Sequence, residues 1–258
     1  MSAQETKKSE FSKAIEDNSF FIEEAYNQEY RVVQHINNLK YSLDPSHDFE
    51  YSFTQEWPVV SQKHQFSYTL GFSSLNAGDV KGLNDILLNY RYQLTGHDDF
   101  VDMAPRFSLI IPTGNSTKGL GNGVVGYQFD LPLSKRVTNS LAVHANIGYT
   151  LLPSVKSIDL YNITHKNNLS IINFGASAIW LVTYKTNLML EALYNISKEV
   201  TGNIKLINTG QTIISPGIRH AIEIKNLEIV PGFALPVTIQ NGKAGLAAFL
   251  YLSFEHPF

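Results

Sequence analysis

The chain of 258 residues contains no cysteine, which excludes disulfides and thiolate metal sites. No run approaches the roughly 18 consecutive apolar residues of a membrane-spanning helix. That absence excludes a helical membrane protein and leaves a barrel open, because alternating strands average to moderate hydropathy. Charge is scarce as well: 17% of residues are charged, against about a quarter in ordinary soluble domains. Positive charge is not in excess, and a net charge of −3 with a pI near 6.2 gives no electrostatic footprint for nucleic acid. The first residues, MSAQETKKSEFSK, lack the apolar stretch of a signal peptide. The protein is therefore either cytosolic or a mature chain whose signal has been removed, and the remaining sequence must decide.

What the chain does have is aromatic and alternating, with 13 Tyr and 15 Phe. In ILLNYRYQL, Ile86, Leu88, Tyr90, Tyr92 and Leu94 alternate with Leu87, Asn89, Arg91 and Gln93, with Asp85 in step with the second set. HQFSYTLGF, GNGVVGYQFDL and SLAVHANIGYTL repeat the pattern, and a period of two marks a strand with unlike faces. Twelve such runs are expected, near 29–40, 49–58, 64–73, 83–94, 104–111, 122–131, 140–151, 169–182, 187–197, 211–222, 226–236 and 245–255. Several reach the roughly 9–11 residues that a tilted strand needs to cross a bilayer, where soluble strands average about 5–6.

The connections alternate in character. On the side of the N-terminus they read as PVVSQKH, LSKRVTN, VTYKTN and KN, mostly tight or basic, with the longer TGHDDFVDMA as the exception. On the far side stand SVKSIDLYNITHKNN and KEVTGNIKLINTG, long and polar. Short turns at one rim and long loops at the other are the outer-membrane barrel pattern. The last strand, FLYLSFEHPF, sets Leu250, Leu252, Phe254, His256 and Phe258 on one face and ends on the aromatic. It resembles the C-terminal signature of bacterial outer-membrane proteins, through which the barrel assembly machinery would engage the chain.

The expected fold is therefore all-β: an antiparallel transmembrane β-barrel of about twelve strands over residues 28–258. A soluble barrel of this size encloses more space than apolar side chains readily fill, so the apolar face is assigned to lipid and the polar face to a wet lumen. Residues 1–27 form a separate segment, with a short helix in SEFSKAIED. Its apolar Phe11, Ile15, Phe20, Phe21 and Ile22 suit either a plug in the lumen or a periplasmic tail. The predicted lining residues are Glu56, Asp85, Asn89, Arg91, Arg106, Asp130, His144, Asn146, Glu191 and Arg219. Their mixed signs argue against strong anion or cation selectivity. Gly126, Gly148, Gly175 and Gly232 are strand positions where the wall is free to bend.

Several stretches resemble a known family. FFIEEAYNQEYRVVQHI, GLNDILLNYRYQL, PRFSLIIPTGNSTKGLGNGVVGYQFDLPLSKRV and VHANIGYT are similar to the family named for a MetA pathway of phenol degradation, from about residue 20 to the C-terminus. The resemblance implies a bacterial outer-membrane barrel that passes small molecules, with aromatic compounds suggested by the family's name alone; the barrel is expected to be a monomer. It implies no cofactor and no catalytic residue.

Other motifs have plainer readings. IPTGNSTKGLGNG lacks the spacing of a phosphate-binding loop and reads as a hairpin connection. Asp98, Asp99 and Asp102 have an oxygen-rich spacing that Ca²⁺ accepts, but a solvated turn has the same composition. His35, His47, His165 and His220 show no ligand spacing, so no metal site is assigned. The enzyme alternative is an outer-membrane phospholipase. It requires a Ser beside a His base, whereas Asn146 stands two residues after His144 where that Ser is needed. A structural or adhesive barrel is the third reading.

Overall fold

Alternating runs favour extended backbone with two unlike faces, and such strands pair until no edge is left exposed. In the computed structural model, which describes residues 19–96, 99–158, 161, 163–200 and 205–257, sixteen strand segments form one antiparallel sheet. Eight segments join in pairs across one short break each, leaving twelve walls. In chain order these are β1 (Val32–Ser42), β2 (Phe49–Val59), β3 (Ser61–Leu75) and β4 (Val80–Leu83 with Ile86–Tyr92). Next come β5 (Asp102–Met103 with Arg106–Ile111), β6 (Gly126–Thr138), β7 (Leu141–Ile158) and β8 (Thr164–Leu181). The circuit ends with β9 (Thr186–Val200), β10 (Leu206–His220 with Ile222–Ile224), β11 (Leu227–Ala234 with Val237–Gln240) and β12 (Lys243–Pro257). Each wall pairs with its chain neighbour, and β1 pairs with β12 from Val32↔Pro257 to Ser42↔Ala247, which closes the barrel. Closure satisfies the backbone groups that an open sheet would leave at its edges.

The barrel is inverted in polarity. Its most deeply buried large side chains include Arg219, Gln34, Gln65, Glu191, Asn187 and Asp130. Its exterior carries Tyr90, Phe107, Phe129, Tyr149, Phe174, Trp180, Leu190 and Leu250, all exposed. A water-soluble protein distributes these groups the other way.

The expected walls are all present, but several are longer than the alternation suggested. LSKRVTN is no linker, since β6 runs to Thr138. PVVSQKH shrinks to a turn at Val60, which is 96% exposed with φ of 64°. SVKSIDLYNITHKNN and KEVTGNIKLINTG are mostly strand, as the outer ends of β7, β8, β9 and β10. Polar residues enter both faces of those outer ends, so the period-two signal weakens while backbone pairing continues. The expected helix in SEFSKAIED, Phe11, Ile15 and the terminal Phe258 lie outside the described residues.

Inside, one stretch of wall near the N-terminal rim is apolar, against the expectation of a wholly polar lining. Ile179 and Leu181 of β8, Met189 of β9, Val230 and Ala234 of β11 and Phe249 of β12 form a buried cluster there. The run IIN…AIWLV is apolar on both faces at its end, which hid this patch from the sequence pattern.

Candidate functional site

Residues directly opposite on paired strands lie about 5 Å apart on the same face. Register therefore gathers inward side chains from distant parts of the chain into rows around the lumen. One row, just inside the apolar patch at the N-terminal rim, joins Asp102, Ser134, His144, Ser177, Glu191 and Ser215. A second row, further in, begins with Gln65, Arg91, Arg106 and Asp130. It passes Gly148 and continues through Asn173, Asn195, Gln211 and Gln240. A third begins with Gln34, Glu56, Ser67 and Asn89 and reaches Gln128 and Thr150 by way of Ser108.

Residues 19–28 cross this polar interior as an irregular chain segment, and wall side chains satisfy its backbone. Glu191 Oε1 accepts the N–H groups of Phe21 (2.9 Å) and Ile22 (3.2 Å). Ser134 Oγ accepts from Ala25 N–H at 2.7 Å, Gln93 Oε1 from Asn27 N–H at 3.0 Å and Gln65 Oε1 from Gln28 N–H at 2.7 Å. In the other direction, Arg91 donates to the carbonyls of Glu24 (3.1 Å) and Tyr26 (2.7 Å), and Gln93 to that of Ala25 (2.7 Å). A buried backbone group left without a partner would cost about 1–3 kcal/mol, so the wall removes the main penalty against placing irregular chain in a barrel.

Charge reinforces the seat. Arg91 Nη1 lies 3.5 Å from Glu23 and 3.9 Å from Glu24, and its Nη2 lies 3.6 Å from Glu56. Arg106 pairs with Glu23 and lies 3.9 Å from Asp130, which also accepts from the Asn146 amide at 3.2 Å.

Shape completes it. Phe20 packs on Phe249 and Tyr251, with ring centroids 5.4 and 5.1 Å apart, and Phe21 packs on Phe249 at 4.7 Å. The Phe20 ring fills a socket left by two glycines. A Cβ on Gly232 would stand 2.6 Å from its Cζ, and one on Gly217 would stand 2.8 Å from its Cε2. A Cβ on Gly175 would meet Ile22 Cδ1 at 2.5 Å. Gly148 leaves room for Asn173 and Asp130 to meet over it, and Gly126 leaves room for Leu152 and Ile110. These glycines accommodate contents of the lumen; the structure marks none of them as a bend.

The predicted residues thus have distinct placements. Arg91, Arg106, Glu191 and His144 touch residues 20–28 or the groups that hold them. Glu56, Asn89 and Asp130 stand in the rows beside them, and Arg219 is buried on β10 behind the Phe20 socket. Asp85 stands apart. Its carboxylate accepts the N–H groups of Gly114 (2.9 Å) and Asn122 (2.7 Å), fastening the 112–125 connection at the far mouth. Asp98 lies outside the described residues, Asp99 accepts from Gly96 N–H at 2.9 Å, and Asp102 faces the lumen.

Sequence reasoning missed Ser134, which hydrogen-bonds His144 Nδ1 at 2.7 Å across the β6–β7 pair. The serine absent after His144 in sequence is thus supplied by the neighbouring wall. Its Oγ is engaged by Ala25 N–H, and both side chains are buried beneath residues 25 and 26. Gln93 sits on the lumen face with Asn89 and Arg91, as expected, whereas Gln65 and Gly217 were also missed. Their only signal was position on the polar face of an alternating run.

Two spaces remain. A cavity of about 140 Å³ lies between residues 19–24 and walls that include Asn38, Thr54, Asn89 and Tyr251. A vestibule of about 380 Å³ opens toward the far mouth, between β6 and β11.

No family model matches the chain, and no curated protein matches it. Solved structures do. An outer membrane channel from Pseudomonas putida F1 superposes with a TM-score of 0.65 at 12% identity, covering 91% of this chain and 98% of its own. The NanC porin gives 0.55 at 10% identity over 86% and 98%, and the KdgM porin gives 0.50 at 10% over 87% and 99%. The fold is that of an outer-membrane β-barrel.

Proposed function

We propose that the protein is a channel of the bacterial outer membrane that passes small molecules by diffusion, with residues 19–28 as its internal constriction. The observation that carries this reading is the inverted polarity: arginine, glutamate and glutamine are among the most buried large side chains, while many aromatic and aliphatic side chains are exposed. An apolar exterior of this extent is stable against lipid, and a polar interior is what a hydrated solute crosses. Wall charges of both signs, Arg91 with Glu56 and Arg106 with Asp130, favour solutes without strong regard to charge. Membrane insertion through the assembly machinery would engage β12, and one chain closes the barrel alone. The resemblance to the phenol-degradation family adds aromatic solutes to the candidates. The engaged, covered Ser134–His144 pair favours an anchoring role over hydrolysis.

Liposomes reconstituted with the full chain should swell in small solutes faster than empty liposomes, with the rate falling as solute size rises. Swelling at the rate of protein-free liposomes would remove the channel reading. The membrane placement has its own test. Leu250 is half exposed on the outer face of β12, and Leu250→Arg should cost about 2–4 kcal/mol of folding free energy in lipid if it lies near the bilayer midplane. Urea unfolding in vesicles reads this directly. An unchanged midpoint would place Leu250 in water.

A further inference from the structure

We infer that the far vestibule is a binding site for neutral, hydroxyl-rich solutes of carbohydrate type. This inference rests on the channel reading and narrows its substrate class. The second lumen row places four carboxamides side by side on four consecutive walls: Asn173, Asn195, Gln211 and Gln240. Asn195 Nδ2 approaches Gln211 Oε1 at 3.5 Å, and Gln211 Nε2 donates to Gln240 Oε1 at 3.3 Å. The amides thus hold one another in a ladder that lines the cavity.

Directly above, the third row adds Gln128, Thr150 and Ser197. A carboxamide both donates and accepts, so this surface matches a ring of hydroxyls, each of which does the same. Ile171 and Leu193 supply aliphatic contact to the same cavity, the complement of a sugar's C–H face. No lysine or arginine lines it among the described residues, and its one carboxylate, Glu199, is bonded by Thr209 at 3.2 Å. Of the cations flanking this row, Arg106 is occupied by Glu23, and Lys243, opposite Gln240 at the rim, is exposed and does not line the cavity.

Among the described residues, the lining itself thus offers a carboxylate or phosphate solute no counter-charge and a planar aromatic no ring to stack on. The volume of about 380 Å³ falls within the about 300–1,000 Å³ of small-molecule pockets.

The test is equilibrium binding to the full chain in lipid nanodiscs, read by saturation-transfer NMR with maltose and benzoate as probes. Binding needs no conduction, so its failure is separate from failure of the swelling assay. Maltose should bind, and Asn195→Leu with Gln211→Leu should weaken it by about tenfold or more. The double variant should keep its heat-modifiable migration, which shows that the barrel still folds. Binding of benzoate in place of maltose, no binding of either, or maltose binding unchanged in the double variant would each overturn the assignment.

Discussion

Gly232→Val is expected to raise single-channel conductance in planar bilayers several-fold over the parent chain. The reasoning is steric and local. Gly232 lies in extended backbone on β11, a conformation that valine also adopts, so the wall itself tolerates the change. What does not tolerate it is the Phe20 ring, already 2.6 Å from where the new Cβ would stand. Protein packing leaves no slack of that size. The ring belongs to the crossing segment and not to the wall, so the segment gives way. The companion variant makes the test discriminating: Phe20→Ala added to Gly232→Val vacates the socket and should return conductance toward the parent value. A single variant with unchanged conductance would show that residues 19–28 do not limit flow. A double variant as open as the single one would trace the effect to a damaged wall.

The second large effect is on stability. Arg91→Met should lower unfolding free energy by about 3–5 kcal/mol, the usual consequence of removing one partner from a buried charge network. The guanidinium meets the carbonyls of Glu24 and Tyr26, Asn27 Oδ1 at 3.0 Å and three carboxylates, those of Glu23, Glu24 and Glu56. Without it, the carboxylates of Glu23, Glu24 and Glu56 face one another with their counter-charge removed. Arg91→Lys should recover little, because one ammonium cannot reach partners arranged around a planar fork. Thermal unfolding in detergent decides this. A lysine variant as stable as the parent would mean that only the charge matters.

These two sites show what the sequence could and could not disclose. ILLNYRYQL identified both the outward set, with Tyr90 exposed, and the inward Asn89 and Arg91, because alternation alone assigns faces. The same rule located all twelve walls and failed only where polarity ceased to alternate, as at Lys135 and Arg136 in β6. It had no means of finding the seat of residues 19–28. Gly217 and Gly232 belong to no motif, and their meaning is an empty volume opposite one particular ring. The Ser134–His144 pair was equally silent, since it is made by register between two strands and not by spacing within one. Face follows from local order in the chain; fit depends on what lies across the lumen.

The way residues 19–28 are held has a consequence for their freedom. Most of their hydrogen bonds run from wall side chains to main-chain groups, so the barrel binds this stretch much as a receptor binds a peptide. Only Glu29, Tyr30 and Arg31 separate it from β1, and a turn bond from Val32 N–H to Glu29 O at 3.0 Å shortens even that span. The protein thus holds a tethered ligand whose local concentration is set by a three-residue leash. Departure is a hinge motion, never an escape, and reoccupation is intramolecular. Any solute that displaces it competes against a neighbour that stays within reach of its site.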